Sequence, residues 1–263
     1  MLTDAVSFLQ SHDDILLIAH VSPDGDTLGS SFALFGALRA ANKRVQVVCE
    51  DAVPALYAFL PFSENLVPPE RARAAGAVVC VDCADLARTG RCETLFRAAK
   101  ATLNIDHHGT NEGYADVNYV KASAATGELI YRLLTELRLP VGRDVAACLY
   151  AAISTDTGNF SYSNTTPDTF RITAELLDAG IDLPDLSRRL FRTTPFKKLR
   201  LQALVTEKTK LYEGGRIGVA FVTLDEIASC GAKAEDTEGI IDLIRDIDTV
   251  EIAVFLRESE DGA

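Results

Sequence analysis

The chain is short of positive charge. Its 26 Lys and Arg stand against 38 Asp and Glu, so 263 residues carry a net charge of −12. Long nucleic acid is gripped through clustered Lys and Arg. Long-duplex DNA binding is therefore not expected, and a nucleotide handled by this chain would be short and held locally. No apolar run is long enough to span a bilayer, so no membrane partner is expected. The N-terminus, MLTDAVSFLQSHDD, brings acids early and lacks the basic start and apolar centre of a secretion signal, which points to a cytoplasmic protein. There is no internal repeat and no low-complexity tract. Of six cysteines (Cys49, Cys80, Cys83, Cys92, Cys148, Cys230), only Cys80 and Cys83 form a C-x-x-C pair. With no second pair, a zinc or redox role is disfavoured, and buried reduced thiols are expected.

What is present suffices for a real core, since 48% of residues are apolar and 24% charged. Strand-length apolar runs at 15–19, 45–50, 77–82 and 101–106 alternate with helical patterns at 27–43, 125–137, 145–153 and 167–180. Continuous apolar strands separated by helices predict an α/β fold, a doubly wound and mostly parallel sheet covered on both faces. The reading divides the chain into a catalytic domain over 1–185, a basic connector over 186–200 and a smaller C-terminal α/β domain over 201–263. The last has strands at 215–224 and 249–258, a helix near 236–246, and looks incomplete where the chain stops at EDGA.

Four clusters carry chemistry. AHVSPDGDTLGS places His20, Asp24 and Asp26 directly after a strand and before a helix. Ligands in open α/β sheets bind outside the carboxyl ends of the strands. Two aspartates this close repel unless a cation lies between them. Gly25 is expected to turn the loop, and the N–H groups at 27–30 to suit a phosphate. Helix capping explains one Asp but not two plus a His. In VVCVDCAD, Asp82 ends a strongly apolar strand, where an unpaired carboxylate is costly, and Asp85 is expected to cap a turn. In NIDHHGTN, Asp106 ends a strand and His107 and His108 follow; Asp106 is a candidate to support an imidazole, and Gly109 to allow a sharp exit. In ISTDTGNF, Asp156 closes an apolar helical run. Donors rich in oxygen, with imidazole and no thiolate, favour Mn²⁺, with Mg²⁺ or Co²⁺ as alternatives. A pair of divalent ions can clamp a phosphoryl group and activate a water.

These four motifs, in this order and spacing, resemble the DHH phosphoesterase family, in which Asp106, His107 and His108 match the naming motif. Segments such as ASAATGELIYRLL and STDTGNFSYSNTT make the chain most similar to the bacterial oligoribonuclease and 3′-phosphoadenosine 5′-phosphate (pAp) phosphatase branch. The resemblance implies that His20, Asp24 and Asp82 hold one metal ion, and that Asp26, Asp82, His107 and Asp156 hold a second, with Asp82 bridging. It makes His108, Asp82 and Asp106 the catalytic set, with His108 on the scissile phosphate and a bridging water as attacker. It implies short RNA or a small nucleotide as substrate and leaves a homodimer open. The family's C-terminal DHHA1 domain normally carries a glycine-rich G-G-G-H motif, which this chain does not reach.

Ser123 and Thr126 are open between binding a phosphate and capping the helix over 125–137. Arg192 is a candidate phosphate contact within an otherwise solvated basic run, Arg188 to Arg200. Three alternatives remain: an inorganic pyrophosphatase, a cyclic-dinucleotide phosphodiesterase, and a metal-binding protein impaired in catalysis.

Overall fold

A computed structural model describes residues 1–259, so the terminal EDGA lies outside the described residues. The backbone forms two compact units, Met1–Arg192 and Thr193–Ala263. In the first, α1 (Leu2–Ser11) precedes β1 (Asp14–Ala19), α2 (Gly25–Ala40), β2 (Arg44–Val48), β3 (Leu66–Val67), β4 (Ala77–Val81), α3 (Glu93–Ala98), β5 (Ala101–Asp106) and β6 (Val117–Val120). Then come α4 (Thr126–Glu136), α5 (Arg143–Asp156), α6 (Pro167–Asp178) and α7 (Leu183–Phe191). The six strands are all parallel, in the order β3-β2-β1-β4-β5-β6.

Why the strands read as unbroken apolar runs is visible in their packing. Ile15 and Leu17 of β1 join the core shared with α2, α4 and α5, while Leu16 and Ile18 face the opposite layer beside Phe96 of α3. A strand buried on both faces has no polar alternation to display. Strand order reverses between β1 and β4, whose register pairs Ile15 with Ala77 and Ala19 with Val81. Such a reversal opens a crevice at the carboxyl ends of the two strands. α2 is buried from Gly25 through Leu38, a helix wrapped on all sides.

The expected doubly wound, mostly parallel sheet is thus what the chain forms. Two short strands, β3 and β6, were not foreseen. Several boundaries also moved: α2 begins at Gly25, not Thr27, and α5 runs on to include Asp156. Much of the stretch read as a connector is helical, because Leu186 and Leu190 of α7 are buried in the first unit's core.

The second unit contains α8 (Phe196–Lys208), β7 (Lys210–Tyr212), β8 (Ile217–Val222), α9 (Leu224–Ser229), α10 (Ile240–Arg245) and β9 (Ile252–Arg257). Its sheet is mixed, with β7 antiparallel and β9 parallel to β8. Leu201, Val205, Ala220, Val222, Ile227, Ile240 and Ile244 form its own core. No helix of the described residues is long and apolar enough to cross a membrane.

Candidate metal centre

The crevice between β1 and β4 collects the acidic and imidazole residues. His20 follows β1 and is 2% exposed. Its backbone N–H donates to Thr27 Oγ1, which in turn donates to the Val81 carbonyl, tying the ends of both strands. Asp24 does two jobs. Its Oδ1 accepts from the N–H groups of Asp26 and Thr27 as the cap of α2, and its Oδ2 lies 3.5 Å from His20 Nε2. Of the N–H groups at 27–30 expected to serve a phosphate, that of Thr27 is taken by the Asp24 side chain and that of Leu28 by the Asp24 carbonyl, and the first turn of α2 is buried. Gly25 is needed for a reason other than a left-handed turn. A Cβ there would stand 2.3 Å from Thr155 Oγ1, so the absent side chain lets α2 reach the end of α5. Gly109 meets neither constraint, having an ordinary φ and open space at its Cβ position. Asp82, by contrast, adopts a left-handed φ of 61° and is 3% exposed.

Three sets of donor atoms converge, each within 4.8 Å: His20, Asp24 and Asp82; Asp26, His107 and Asp156; and Asp82, His107 and His108. His20 Nε2 lies 3.6 Å from Asp82 Oδ2. His107 Nε2 lies 3.8 Å from Asp26, 3.7 Å from Asp82 and 3.6 Å from Asp156. Asp82 belongs to two sets and faces both imidazoles. The predicted ligands thus come together from four segments of the chain.

Each imidazole is held from behind. His20 Nδ1 is 2.8 Å from the Val21 carbonyl and His107 Nδ1 is 3.1 Å from the Ser123 carbonyl. For His107, donation at Nδ1 leaves the Nε2 lone pair facing the carboxylates. His108 Nδ1 is 2.7 Å from Asp106 Oδ1, and Asn111 donates to the other oxygen of Asp106. Asp106 is fully buried and stands outside the three donor sets; it orients His108. Burial would raise the Asp106 carboxyl, but His108 and Asn111 hold it below its usual range, and Asp106 in turn raises the His108 imidazole.

Thr126 is fully buried. Its hydroxyl donates to Asp82, and its N–H and that of Gly127 donate to the two oxygens of Asp26. The start of α4 therefore cradles a carboxylate of the protein itself. Ser123 supplies its carbonyl to His107, while its hydroxyl donates to Glu128. Arg192 ends α7, exposed, and is not brought into the cluster. Most of the basic run is engaged: Arg188 and Arg189 with Asp185, Lys197 with Asp236, Lys198 with the Glu238 carbonyl, and Arg200 with the Ser229 carbonyl.

Sequence reading missed three participants. Glu128 is a buried carboxylate that accepts from Ser123, Thr169 and Arg132. Its i,i+4 spacing to Arg132 was the available signal. Asn164 donates to the carbonyls of Ala124 and Asp156, tying two site loops. The guanidinium of Arg88 lies 3.1 Å from His20 Nδ1 and pairs with no carboxylate among the described residues. Nothing in the sequence singled out the last two. Asp85 caps the turn at Arg88, as expected. All six cysteines are free and buried, and burial pushes the Cys49 thiol up to about 11 and Cys92 up to about 12. Neither is poised for thiolate chemistry at neutral pH.

The donor set fits divalent cations. Separations of 3.5–3.8 Å between imidazole nitrogen and carboxylate oxygen are too long for hydrogen bonds. They suit donors sharing a centre at about 2.0–2.2 Å from each. Burial and the neighbouring Asp82, Asp156 and Asp24 push the Asp26 carboxyl well above its usual range. Burial likewise raises Asp156, to about 6, against the lowering effect of His107. Burial would lower His20, but Asp24 and Asp82 lift it to about 9. Carboxylates crowded this way want positive charge, which a metal supplies by displacing protons.

Comparison with known proteins identifies a family and several relatives. The family model described as DHH family, N-terminal domain, matches residues 14–153. A bifunctional oligoribonuclease and PAP phosphatase NrnA of Thermus thermophilus is 35% identical over 251 residues, 94% of this chain and 74% of that one. A probable manganese-dependent inorganic pyrophosphatase of Streptococcus equi subsp. equi is 25% identical over 240 residues, 86% of this chain and 76% of that one. The crystal structure of an exopolyphosphatase-related protein from Bacteroides fragilis superposes with a TM-score of 0.93 at 27% identity, covering 99% of this chain and 80% of that one.

Proposed function

The chain belongs to the DHH family, and from that premise we propose that it is a metal-dependent phosphoesterase acting on short oligoribonucleotides from an end and on the 3′-phosphate of pAp. The observation that carries the reading is the convergence of donors on Asp82, shared by two of the three donor sets. His20, Asp24 and Asp82 would hold one divalent ion, and Asp26, Asp82, His107 and Asp156 the other, with Mn²⁺ preferred over Mg²⁺ or Co²⁺. When bound, such ions supply Lewis acidity and a water acidic enough to attack at neutral pH.

The chain's own residues do the rest. The Val21 and Ser123 carbonyls orient the two imidazole ligands, and Thr126 and Gly127 hold Asp82 and Asp26 in place. His108, fixed at Nδ1 by Asp106 and 42% exposed at its side chain, would donate from Nε2 to a phosphate oxygen and offset charge developing there. Ser123 and Arg192 have no such placement in this scheme. Six buried reduced thiols suit the cytoplasm.

The test is release of phosphate from pAp and of mononucleotide from a short RNA, each with and without Mn²⁺, beside Asp82→Ala. We expect metal-dependent turnover of both, and a loss in Asp82→Ala of more than ~100-fold, beyond the ~10–100-fold typical of removing a residue that only supports a metal ligand. Pyrophosphate cleaved while RNA and pAp are left intact would transfer the assignment to a pyrophosphatase. Cleavage of a cyclic dinucleotide alone would transfer it to that activity. Metal bound without turnover of any of the four would leave a binding protein.

A further inference from the structure

α2 joins the metal centre to a second feature at its opposite end. From Asp26 to Arg39 is 13 residues, about 20 Å at ~1.5 Å per residue. There, beside the β2–β3 edge of the sheet, Phe35, Arg39, Val45, Gln46, Asn65, Val67, Arg71 and Arg73 line a cleft of about 280 Å³. Three exposed arginines thus line one small cleft of a chain whose net charge is −12. Among the described residues none of the three pairs with a carboxylate, whereas Arg44 nearby pairs with Asp14, and Arg91 with Glu50 and Glu70.

The Arg39 side chain is held by a ring, and Arg71 and Arg73 are fixed at the backbone. Arg39 lies over the Phe35 ring, 5.6 Å from its centroid. The Gln46 amide clasps the Arg73 backbone at both ends, donating to its carbonyl at 3.1 Å and accepting from its N–H at 2.8 Å. Arg71 ends a single turn opened by Pro69, with its N–H bonded to the Pro68 carbonyl. Like charges brought together without counter-ions repel, and an anion between them removes that cost. Guanidinium forks match phosphate oxygens two at a time.

We infer that this cleft is a phosphate-binding site separate from the metal centre, taking a phosphate dianion either free or carried by a mononucleotide. The cleft lies at the lower end of ligand-site volumes, ~300–1,000 Å³, so it suits one phosphate and a small attached group rather than a polymer.

The test is calorimetric titration of the Mn²⁺-loaded full-length protein with inorganic phosphate and, separately, with adenosine 5′-monophosphate. It compares wild type with the triple variant Arg39→Ala, Arg71→Ala, Arg73→Ala. The variant should bind one equivalent fewer than wild type, and the lost equivalent should weaken as salt rises. A second triple variant with lysine at the three positions keeps the charge, and it should retain that equivalent with at least tenfold lower affinity because the fork geometry is gone. Hydrolysis of a generic phosphodiester, equal within twofold in all three proteins, checks folding. Tighter binding of the nucleotide than of phosphate would identify the nucleotide as the ligand; equal binding would identify free phosphate. The inference is overturned if the alanine variant binds as many equivalents as wild type with unchanged affinity, or if wild type binds neither probe.

Discussion

Asp82 follows β4 directly, takes a left-handed φ of 61° and is 3% exposed. A non-glycine residue in that conformation costs on the order of 1–3 kcal/mol and persists where surroundings over-determine it. Here the Asp82 N–H donates to the Ile105 carbonyl at 2.9 Å and Thr126 donates to its side chain. The bend is what lets one carboxylate face both His20 and His107. A strand pattern reveals that an Asp ends the strand; it does not reveal that the backbone reverses there. Glu128 makes a complementary case. Buried and bonded to Ser123, it steadies the carbonyl that receives His107 Nδ1, without touching the donor cluster. As a positioning residue it yields a specific expectation. Glu128→Gln should weaken Mn²⁺ activation about tenfold, the low end for groups that orient a metal ligand, while KM for pAp at saturating metal moves less than twofold. Glu128→Asp should recover part of the loss. A metal titration of activity reads both, and an unchanged Mn²⁺ midpoint would confine Glu128 to a structural role.

Among the elements, α2 and α5 pack so closely that Gly25 and Gly29 of α2 have no room for a methyl group. A Cβ on Gly29 would stand 2.4 Å from the Cys148 carbonyl and 2.8 Å from the Ala152 N, both backbone atoms. Gly29→Ala must push the helices apart, at about 1–3 kcal/mol. The thermal midpoint should fall by several degrees, at ~2–4 °C per kcal/mol for a domain of this size. Gly76→Ala, with nothing within 4 Å of its Cβ position, is the matched control and should shift little. Equal midpoints for the two would mean the contact relaxes freely. α4 was legible by its helical period, and α2 and β5 by largely apolar runs of helix and strand length. β3 spans two residues and β6 four, too few to set a period against turn residues, and their pairing partners supply the strand geometry. α7 was obscured for the opposite reason. Its arginines dominate the local composition, while the apolar pair one turn apart, Leu186 and Leu190, does the packing.

For the whole molecule, metal occupancy and stability are linked. An ion that binds the native state alone adds RT ln(1 + [M]/Kd), about 2.7 kcal/mol at a hundredfold excess over Kd. Chelation should therefore lower the unfolding midpoint by several degrees, and restored Mn²⁺ should raise it in proportion to the logarithm of its concentration. Scanning calorimetry with stepped Mn²⁺ measures this, and a midpoint indifferent to the ion would remove the metal reading. The sequence by itself determined the class of fold and singled out the acids and histidines that converge in the crevice. Both depend on local facts: apolar period, and acids and histidines placed directly after apolar runs, where burial makes an uncompensated charge too costly to be incidental. It could not decide how those donors share work, since grouping needs distances between segments up to 130 residues apart, such as Asp26 and Asp156. The family resemblance implied Asp82 between two sets; only the tertiary structure placed its side chain within reach of both, turned Thr126 inward to the carboxylates and brought Arg39, Arg71 and Arg73 to one cleft. Chain folding across the β1–β4 reversal sets the proximities of the donors, and no local pattern encodes them.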